Sequence, residues 1–369
     1  MKTRYDERNI IFSRVKLEKN TEAYDTYYKN HPEIKEKDDS LRGFNIRTKL
    51  RESEAYKALF FPLTSSNKAL LKHLHTVVDE TPLSNRVIPP KDFHKNIKEI
   101  TKHYGAYDVG IVKLNEDHYY SHSGGLSTSI GIDNYGEKIK PTYTHAIVYI
   151  IPMDLEFINR APNYEEMIET ENVYLNIAFT GSRLALYLKG LGYKTTFQSE
   201  AFYLTPLVPL AFDAGLGEIG MTNHLVHPEL GDRFRIGAVL TTLQLEADTP
   251  IEFGLEDFCK RCALCVMNCP SKSITPFPRM VNGRKFYKFD DQSCFNLWKN
   301  TGTDCGTCIQ SCPFTQGIDL KTVLWMKNDS EKIDQVLKDH LKKHTRRRYT
   351  KDPLDIVNIE GGKNHDIDN

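Results

Sequence analysis

No stretch of the chain reaches the roughly 18 consecutive apolar residues needed to cross a bilayer. The longest candidate, Ala146 to Ile151, is the size of a strand. Net charge is also absent: Lys plus Arg and Asp plus Glu each number 49 among 369 residues. That balance speaks against a broad surface for polyanions such as nucleic acid, though not against a local patch. The N-terminal MKTRYDERN is charged and shows neither the apolar stretch of a secretory signal nor a paired arginine. The expectation is a cytoplasmic protein with no membrane partner. A P-loop is missing too. Cysteine is absent before residue 259 and after residue 312, and all eight cysteines lie between. Disulfide frameworks spread along small secreted chains. A dense cluster in a chain long enough for about two domains points to metal instead.

Along the chain, residues 1–92 are polar and charge-rich, with scattered aromatics (Phe12, Tyr24, Tyr27, Tyr28, Phe44). Those aromatics argue against pure disorder, and the segment is read as an arm of short helices wrapping the main domain. From Phe93 the pattern alternates. KNIKEITKHYG reads as a helix ended by Gly105. Tyr107 to Leu114 and Thr144 to Met153 read as strands, the second apolar enough to be buried on both faces. A long amphipathic helix runs from about Tyr164 to Lys189, and KTTFQ and Arg233 to Leu243 add two more strands. This alternation indicates an α/β layer domain over 93–250. A boundary near Glu252 opens the cysteine region, 251–320. Residues 321–369 then hold one helix (Ser330 to Lys343), a basic run from Leu341 to Arg348 and a polar tail. The basic run reads as a solvated helix end, with contact to an electron donor or tRNA as the alternative.

The first cysteine run places Cys259, Cys262, Cys265 and Cys269 at C-x2-C-x2-C-x3-C-P, the spacing of bacterial two-cluster ferredoxins. A tight loop turns three thiolates inward on one cubane. The fourth, expected at a helix start, faces the other. The second run has only Cys305, Cys308 and Cys312, and Cys294 is the one cysteine left. The set suits two [4Fe–4S] clusters. By the exchanged-ligand rule Cys259, Cys262, Cys265 and Cys312 hold one; Cys269, Cys305, Cys308 and, by elimination, Cys294 hold the other. Zinc does not call for two C-x3-C-P endings. Two adjacent cubanes mean one-electron transfer in an anaerobic or oxygen-guarded setting.

Gly215, Gly217 and Gly220 spell G-x-G-x-x-G, but a dinucleotide site needs a strand before it and a helix after it. Here a loop and helix precede, and a turn and strand follow, so that reading is set aside.

Four segments resemble the cobalamin-dependent reductive dehalogenases and their soluble relatives. They are the opening RNIIFSRVKLEKNTEAYDTYYKNHPEIKEKDDSLR, LKGLGYKTT, AGLGEIG with HPELGDRFRIGAVLTTLQL, and the cysteine region with the closing RRYTKDP. More distantly, the tRNA epoxyqueuosine reductases share the corrinoid domain and the ferredoxin module. The resemblance implies an α+β or α/β chain: a nitroreductase-like corrinoid-binding domain followed by a two-cluster ferredoxin-like domain. It implies cobalamin bound base-off, with no protein ligand to cobalt, and no D-x-H-x-x-G motif is present. It further implies a reductase whose Co(I) attacks an organohalide, fed by a reduced ferredoxin or flavodoxin-type donor.

The same resemblance places the proton-donating tyrosine at Tyr174. That residue shares a helical face with Ile177, Ala178, Gly181 and Ala185, where Gly181 allows a close approach. An unperturbed tyrosine is a poor acid at neutral pH, and a neighbouring cation lowers its pKa. Arg233 is the first candidate for that cation and Arg235 the second, both on one strand face. The alternative for Tyr174 is a packing role. Gly215, Gly217, His224 and His227 are expected to border the corrinoid, and Glu200 stands where the family can have a pocket asparagine. Met221 replaces an arginine often found after GLGE-x-G. These last two departures suggest a different substrate.

His118 and His122 flank two tyrosines in a Ser/Gly-rich loop and are candidates to line the pocket. Trp298 is a candidate either to shield a cluster or to pack. Two rival functions remain: a tRNA-modifying reductase of the epoxyqueuosine type, which needs a basic RNA groove, and a non-catalytic two-cluster electron carrier.

Overall fold

The computed structural model describes residues 4–43, 60–77, 81–127, 131–200, 202–344 and 352–357. Phe44 and half of the basic run, 345–348, lie outside these. The arm forms a short turn at Glu7–Asn9, then α1 (Ile11–Arg14), α2 (Glu22–Asn30) and α3 (Pro32–Leu41). Thr21 accepts from the Tyr24 N–H and so caps α2. Pro32 opens α3, where its missing N–H costs nothing. Tyr24, Tyr27 and Tyr28 bury together with Leu17. Two further helices, α4 (Phe61–Val77) and α5 (Phe93–His103), lead to the central domain.

That domain is built on β1 (Asp108–Lys113), β2 (His145–Pro152), α6 (Leu155–Ile158), α7 (Tyr164–Gly190), β3 (Thr195–Gln198), α8 (Leu207–Asp213), β4 (Glu218–Ile219), β5 (Leu225–Val226) and β6 (Phe234–Thr241). The sheet order is β1-β2-β6-β3. The alternation of strands and helices suggests parallel crossovers, yet every pairing is antiparallel. β2 is buried on both faces, as its apolar run indicates, because α7 packs one face and α8 the other. Tyr149 of β2 donates to the Ile177 carbonyl of α7 at 2.7 Å. A Cβ on Gly181 would stand 2.6 Å from that hydroxyl. The close approach expected at Gly181 is therefore core packing.

The cysteine region contains α9 (Leu255–Cys262), α10 (Leu264–Asn268), β7 (Ile274–Val281), β8 (Arg284–Phe289), α11 (Asp291–Thr301), α12 (Thr307–Gln310), α13 (Leu320–Met326) and α14 (Ser330–Lys343). The arm docks on α11. Arg14 pairs with Asp38 at 2.9 Å and with Asp291 at 2.8 Å, while Phe12 meets Phe295 edge-on beside Trp298. Trp298 thus packs the arm. No helix among the described residues is long and apolar enough to cross a membrane.

Candidate functional site

Cys259 and Cys262 lie on α9, Cys265 on α10, Cys294 on α11 and Cys308 on α12, with Cys269, Cys305 and Cys312 just outside these helices. Ala263, at φ 47°, separates α9 from α10, and so turns Cys265 back towards Cys259 and Cys262. Cys269 follows α10 in extended conformation and does not start a helix, contrary to expectation. None of the eight is in a disulfide. Their mutual electrostatics sort them into two groups. Burial, then the charges of Cys259 and Cys262, push the Cys265 thiol well up. Burial, then Asp232, Cys259 and Cys262, do the same to Cys312. Burial, then Cys305 and Cys269, raise Cys294 to about 12. Cys308 is raised by burial and by a set that includes Asp232, Cys305, Cys265 and Cys294, so it stands at the junction of the groups. Cys312 thus adjoins Cys259 and Cys262, Cys294 adjoins Cys305 and Cys269, and Cys308, packed with Cys259, Cys265 and Cys269, stands between them.

Among the described residues, no three His, Cys, Asp or Glu side chains converge tightly enough for a single metal ion. A mononuclear zinc site needs its thiolates about 2.3 Å from one centre. Burial raises most of these thiols because it disfavours the thiolate, a cost that a bound metal centre would have to offset. Around Cys269, hydrogen bonds from Ser271 and from the N–H groups of Ile274 and Ser273 outweigh burial and lower the pKa, the kind of donors a ligating sulfur accepts.

The second locus lies on α7, beside the loop that carries Cys305. Arg235 of β6 places its guanidinium 5.1 Å from the centroid of the Tyr174 ring. Its Nη2 donates to Thr170 Oγ1 at 2.7 Å and lies 3.9 Å from Glu166 Oε1. Thr170 in turn donates to Glu166 at 3.2 Å. Burial, then the charge of Asp304, push the Glu166 carboxyl well above the usual carboxylate range. Arg233 does not reach Tyr174. It lies one residue before β6, and its Nη1 donates to the Met153 carbonyl at 2.6 Å. The cation beside the tyrosine is therefore Arg235, the second candidate. Nor does the Tyr174 pKa fall: burial raises it above 10, and Arg235 only offsets that rise.

Glu200 acts electrostatically on Tyr174 and Arg235, and Tyr203 and Tyr120 complete the cluster. The sequence reading missed Thr170, Glu166, Asp304 and Tyr203. Thr170 and Glu166 share the Tyr174 helix at i−4 and i−8, a spacing that was open to reading.

The other candidates lie elsewhere. Cβ atoms on Gly215 and Gly217 would strike the Thr249 carbonyl at 2.5 Å and the Val226 carbonyl at 2.2 Å. The space beside these glycines is filled by the chain itself and is no open cradle for a corrinoid. His227 is consumed internally: Nδ1 accepts from the Glu229 N–H and Nε2 is 3.5 Å from Asp108. His224 Nδ1 lies 3.0 Å from Asp232 Oδ2. His118 accepts from the Asn115 N–H and meets Asp213 at 2.8 Å. His122 faces Ser121 and Asp6. Met221 is buried against Cys269, Ile274 and Tyr287. What fits a bound reacting group is the Tyr174 locus, where phenols and a carboxylate surround a guanidinium whose buried Nε has no hydrogen-bond partner among the described residues.

Comparison with known proteins bears on the cysteine region and on the fold. The family model of the 4Fe-4S dicluster domain matches residues 258–316. The tetrachloroethene reductive dehalogenase of Sulfurospirillum multivorans is 28% identical over 258 residues, covering 62% of this chain and 51% of that protein. An epoxyqueuosine reductase of Synechococcus is 35% identical over 121 residues, 30% of this chain and 36% of that one. In fold, the chain superposes on a catabolic reductive dehalogenase, solved in complex with 3-bromo-4-hydroxybenzoic acid, at a TM-score of 0.72 and 20% identity. That match covers 94% of this chain and 47% of the other. The chain spans about half the length of the dehalogenases it matches. The chain is thus similar in sequence to reductive dehalogenases over six-tenths of its length, shares their fold over nearly all of it, and carries a 4Fe-4S dicluster domain in its C-terminal half.

Proposed function

We propose that the chain is a corrinoid- and iron–sulfur-dependent reductase that replaces halide by hydrogen on an organohalide, with Tyr174 as proton donor. The observation that carries this reading is the Arg235 guanidinium held over Tyr174 by Thr170 and Glu166, next to the loop bearing Cys305. Overall, two electrons and one proton enter, a carbon–hydrogen bond forms and halide leaves. A bound corrinoid supplies the electron-rich cobalt that such chemistry needs. The two cysteine groups would hold the [4Fe–4S] clusters.

The chain's own residues handle the proton. Because burial holds the Tyr174 pKa above 10, the phenol stays loaded at neutral pH. When it gives up its proton, the guanidinium of Arg235 stabilises the phenolate. Arg235 is itself fixed by Thr170, so little reorganisation is needed. Glu200 adds negative charge to the pocket, which favours a neutral organohalide over an anionic one.

The test is anaerobic reconstitution with iron, sulfide and cobalamin, followed by assay of halide release. Wild type is expected to bind about eight irons and one corrinoid and to release halide. Tyr174→Phe is expected to keep both cofactors and lose turnover by about 10²- to 10⁴-fold. Iron without corrinoid would leave a two-cluster electron carrier. Reduction of an epoxyqueuosine-modified tRNA without halide release would favour the RNA-modifying alternative.

A further inference from the structure

Electrons must enter the dicluster region from outside, and the packing leaves one side open. Met221, Ile274 and Tyr287 cover Cys269 and Cys265. The arm covers α11, which carries Cys294, through Phe12 and Arg14. Cys308 packs against the core behind the central sheet. Cys262, partly exposed like five of the other cysteines, is the one that lines a groove of about 500 Å³ between α9, α10 and α14.

The floor of that groove is apolar, made by Leu264, Met267, Leu337 and Leu341, and Met267 is half exposed to solvent. Its rim carries Arg261, Lys338 and Lys342 together with Asp334. Arg261 pairs with Asp334 at 2.8 Å and so fixes α14 against α9. Lys342 pairs with Asp339. The last turn of α14 adds Lys343, while burial lowers the His340 pKa to about 4 and leaves it neutral. An exposed methionine inside a basic rim fits a partner with an acidic face, steered by charge and seated on an apolar centre. Encounters of this kind between redox proteins are small, below about 1,200 Å².

We propose that this groove is the docking site of a small acidic ferredoxin, which delivers one electron at a time to the Cys259, Cys262, Cys265 and Cys312 group. The proposal rests on reading the cysteine groups as iron–sulfur clusters. In each encounter the ferredoxin is oxidised by one electron and the group beside the groove is reduced by one. From there the electrostatic neighbours of the two groups mark the route inward. Cys265 and Cys308 join the two groups, and Cys305 of the second group feels the charge of Glu166.

The experiment uses the full chain with reconstituted clusters and a purified acidic ferredoxin. Two quantities are measured: the affinity of the oxidised ferredoxin by calorimetry, and the rate at which reduced ferredoxin bleaches the chain's clusters. Dithionite serves as a small reductant that needs no docking surface. In Lys338→Glu/Lys342→Glu, binding and ferredoxin-driven bleaching are expected to fall about tenfold or more, with dithionite-driven bleaching unchanged. Met267→Ala is expected to cost a smaller factor, with no change in its salt dependence. Wild-type affinity and rate in the double charge reversal would overturn the proposal. So would self-association of the wild-type chain that the same reversal abolishes, because a second copy would then occupy the groove. Loss of halide release with ferredoxin-driven bleaching intact would sink the reductase reading and leave this surface standing.

Discussion

The side chain of Glu166 lies so close to the backbone of Gly306 that a Cβ on that glycine would stand 2.6 Å from Glu166 Cγ. Gly306 has a φ of 64°, in the left-handed region, immediately after Cys305. The contact joins α7, which carries Tyr174, to the loop that carries a cluster ligand. Gly306→Ala would add both backbone strain and a clash. It is expected to destabilise the chain by about 1–3 kcal/mol, read as a lower denaturant midpoint. An unchanged midpoint would mean that α7 and the loop are free to move apart.

Thr170 is expected to act through Arg235. Thr170→Val keeps the shape but removes the oxygen that accepts from Arg235 Nη2 at 2.7 Å, leaving a buried N–H unsatisfied. Halide release should drop by about tenfold, with iron and corrinoid content unchanged, and Thr170→Ser should restore it. Arg235→Lys should not restore function, since an ammonium lacks the planar fork. Wild-type turnover in Thr170→Val would remove Thr170 from the site.

The pH profile follows from the same residues. Burial raises the Tyr174 pKa above 10 and Arg235 pulls it down, so the donating phenol is intact throughout the neutral range. Turnover should be insensitive to this group until pH exceeds its pKa. Removing the cation disfavours the phenolate, so Arg235→Met should move the alkaline limb to higher pH while lowering the rate. A limb that moves to lower pH would contradict the assignment.

How far the sequence reached depended on what each motif encodes. Cysteine spacing encodes a ligand loop directly, and the dicluster character of the region could be read before any coordinates. Strand alternation placed Arg233 and Arg235 on one face, but it could not tell where β6 begins. That start puts Arg233 against Met153 and Arg235 against Tyr174. The G-x-G run signals clearance beside the backbone without saying what fills it, and here the carbonyls of Thr249 and Val226 do. The β7–β8 hairpin went unread because Pro276 and Pro278 weaken the strand pattern. Yet Asn282 and Gly283, both with positive φ, are a recognised hairpin turn signal. Tyr203 follows a turn and carries no periodicity, so only the folded chain brings it to Tyr174.

Cys294 is the ligand assigned by elimination, and its thiol is raised by burial and by Cys305 and Cys269. Cys294→Ala should therefore damage only the group containing Cys269, Cys305 and Cys308. Iron should fall from about eight towards about four per chain, with the magnetic signal of the other cluster retained. Unchanged iron would place the fourth ligand elsewhere, and loss of both signals would mean that the groups do not form independently.

Glu7 links the arm to the central domain and makes stability depend on pH. It is buried and accepts from the Gly124 N–H at 2.5 Å. Burial outweighs that bond and pushes its pKa to about 7. In the unfolded chain the carboxyl ionises near its ordinary value of 4.5. Below that pH it is neutral in both states and exerts no effect. As pH rises towards 7 the unfolded state ionises first, so stability is lost, and above 7 the loss stays constant. Glu7→Gln cannot ionise and can still accept from Gly124. The variant should therefore gain on wild type by about 2–3 kcal/mol between about pH 5 and pH 8, measured by denaturant unfolding at each pH. A difference between the two chains that stays flat across that range would mean that Glu7 is already ionised in the folded protein at acidic pH.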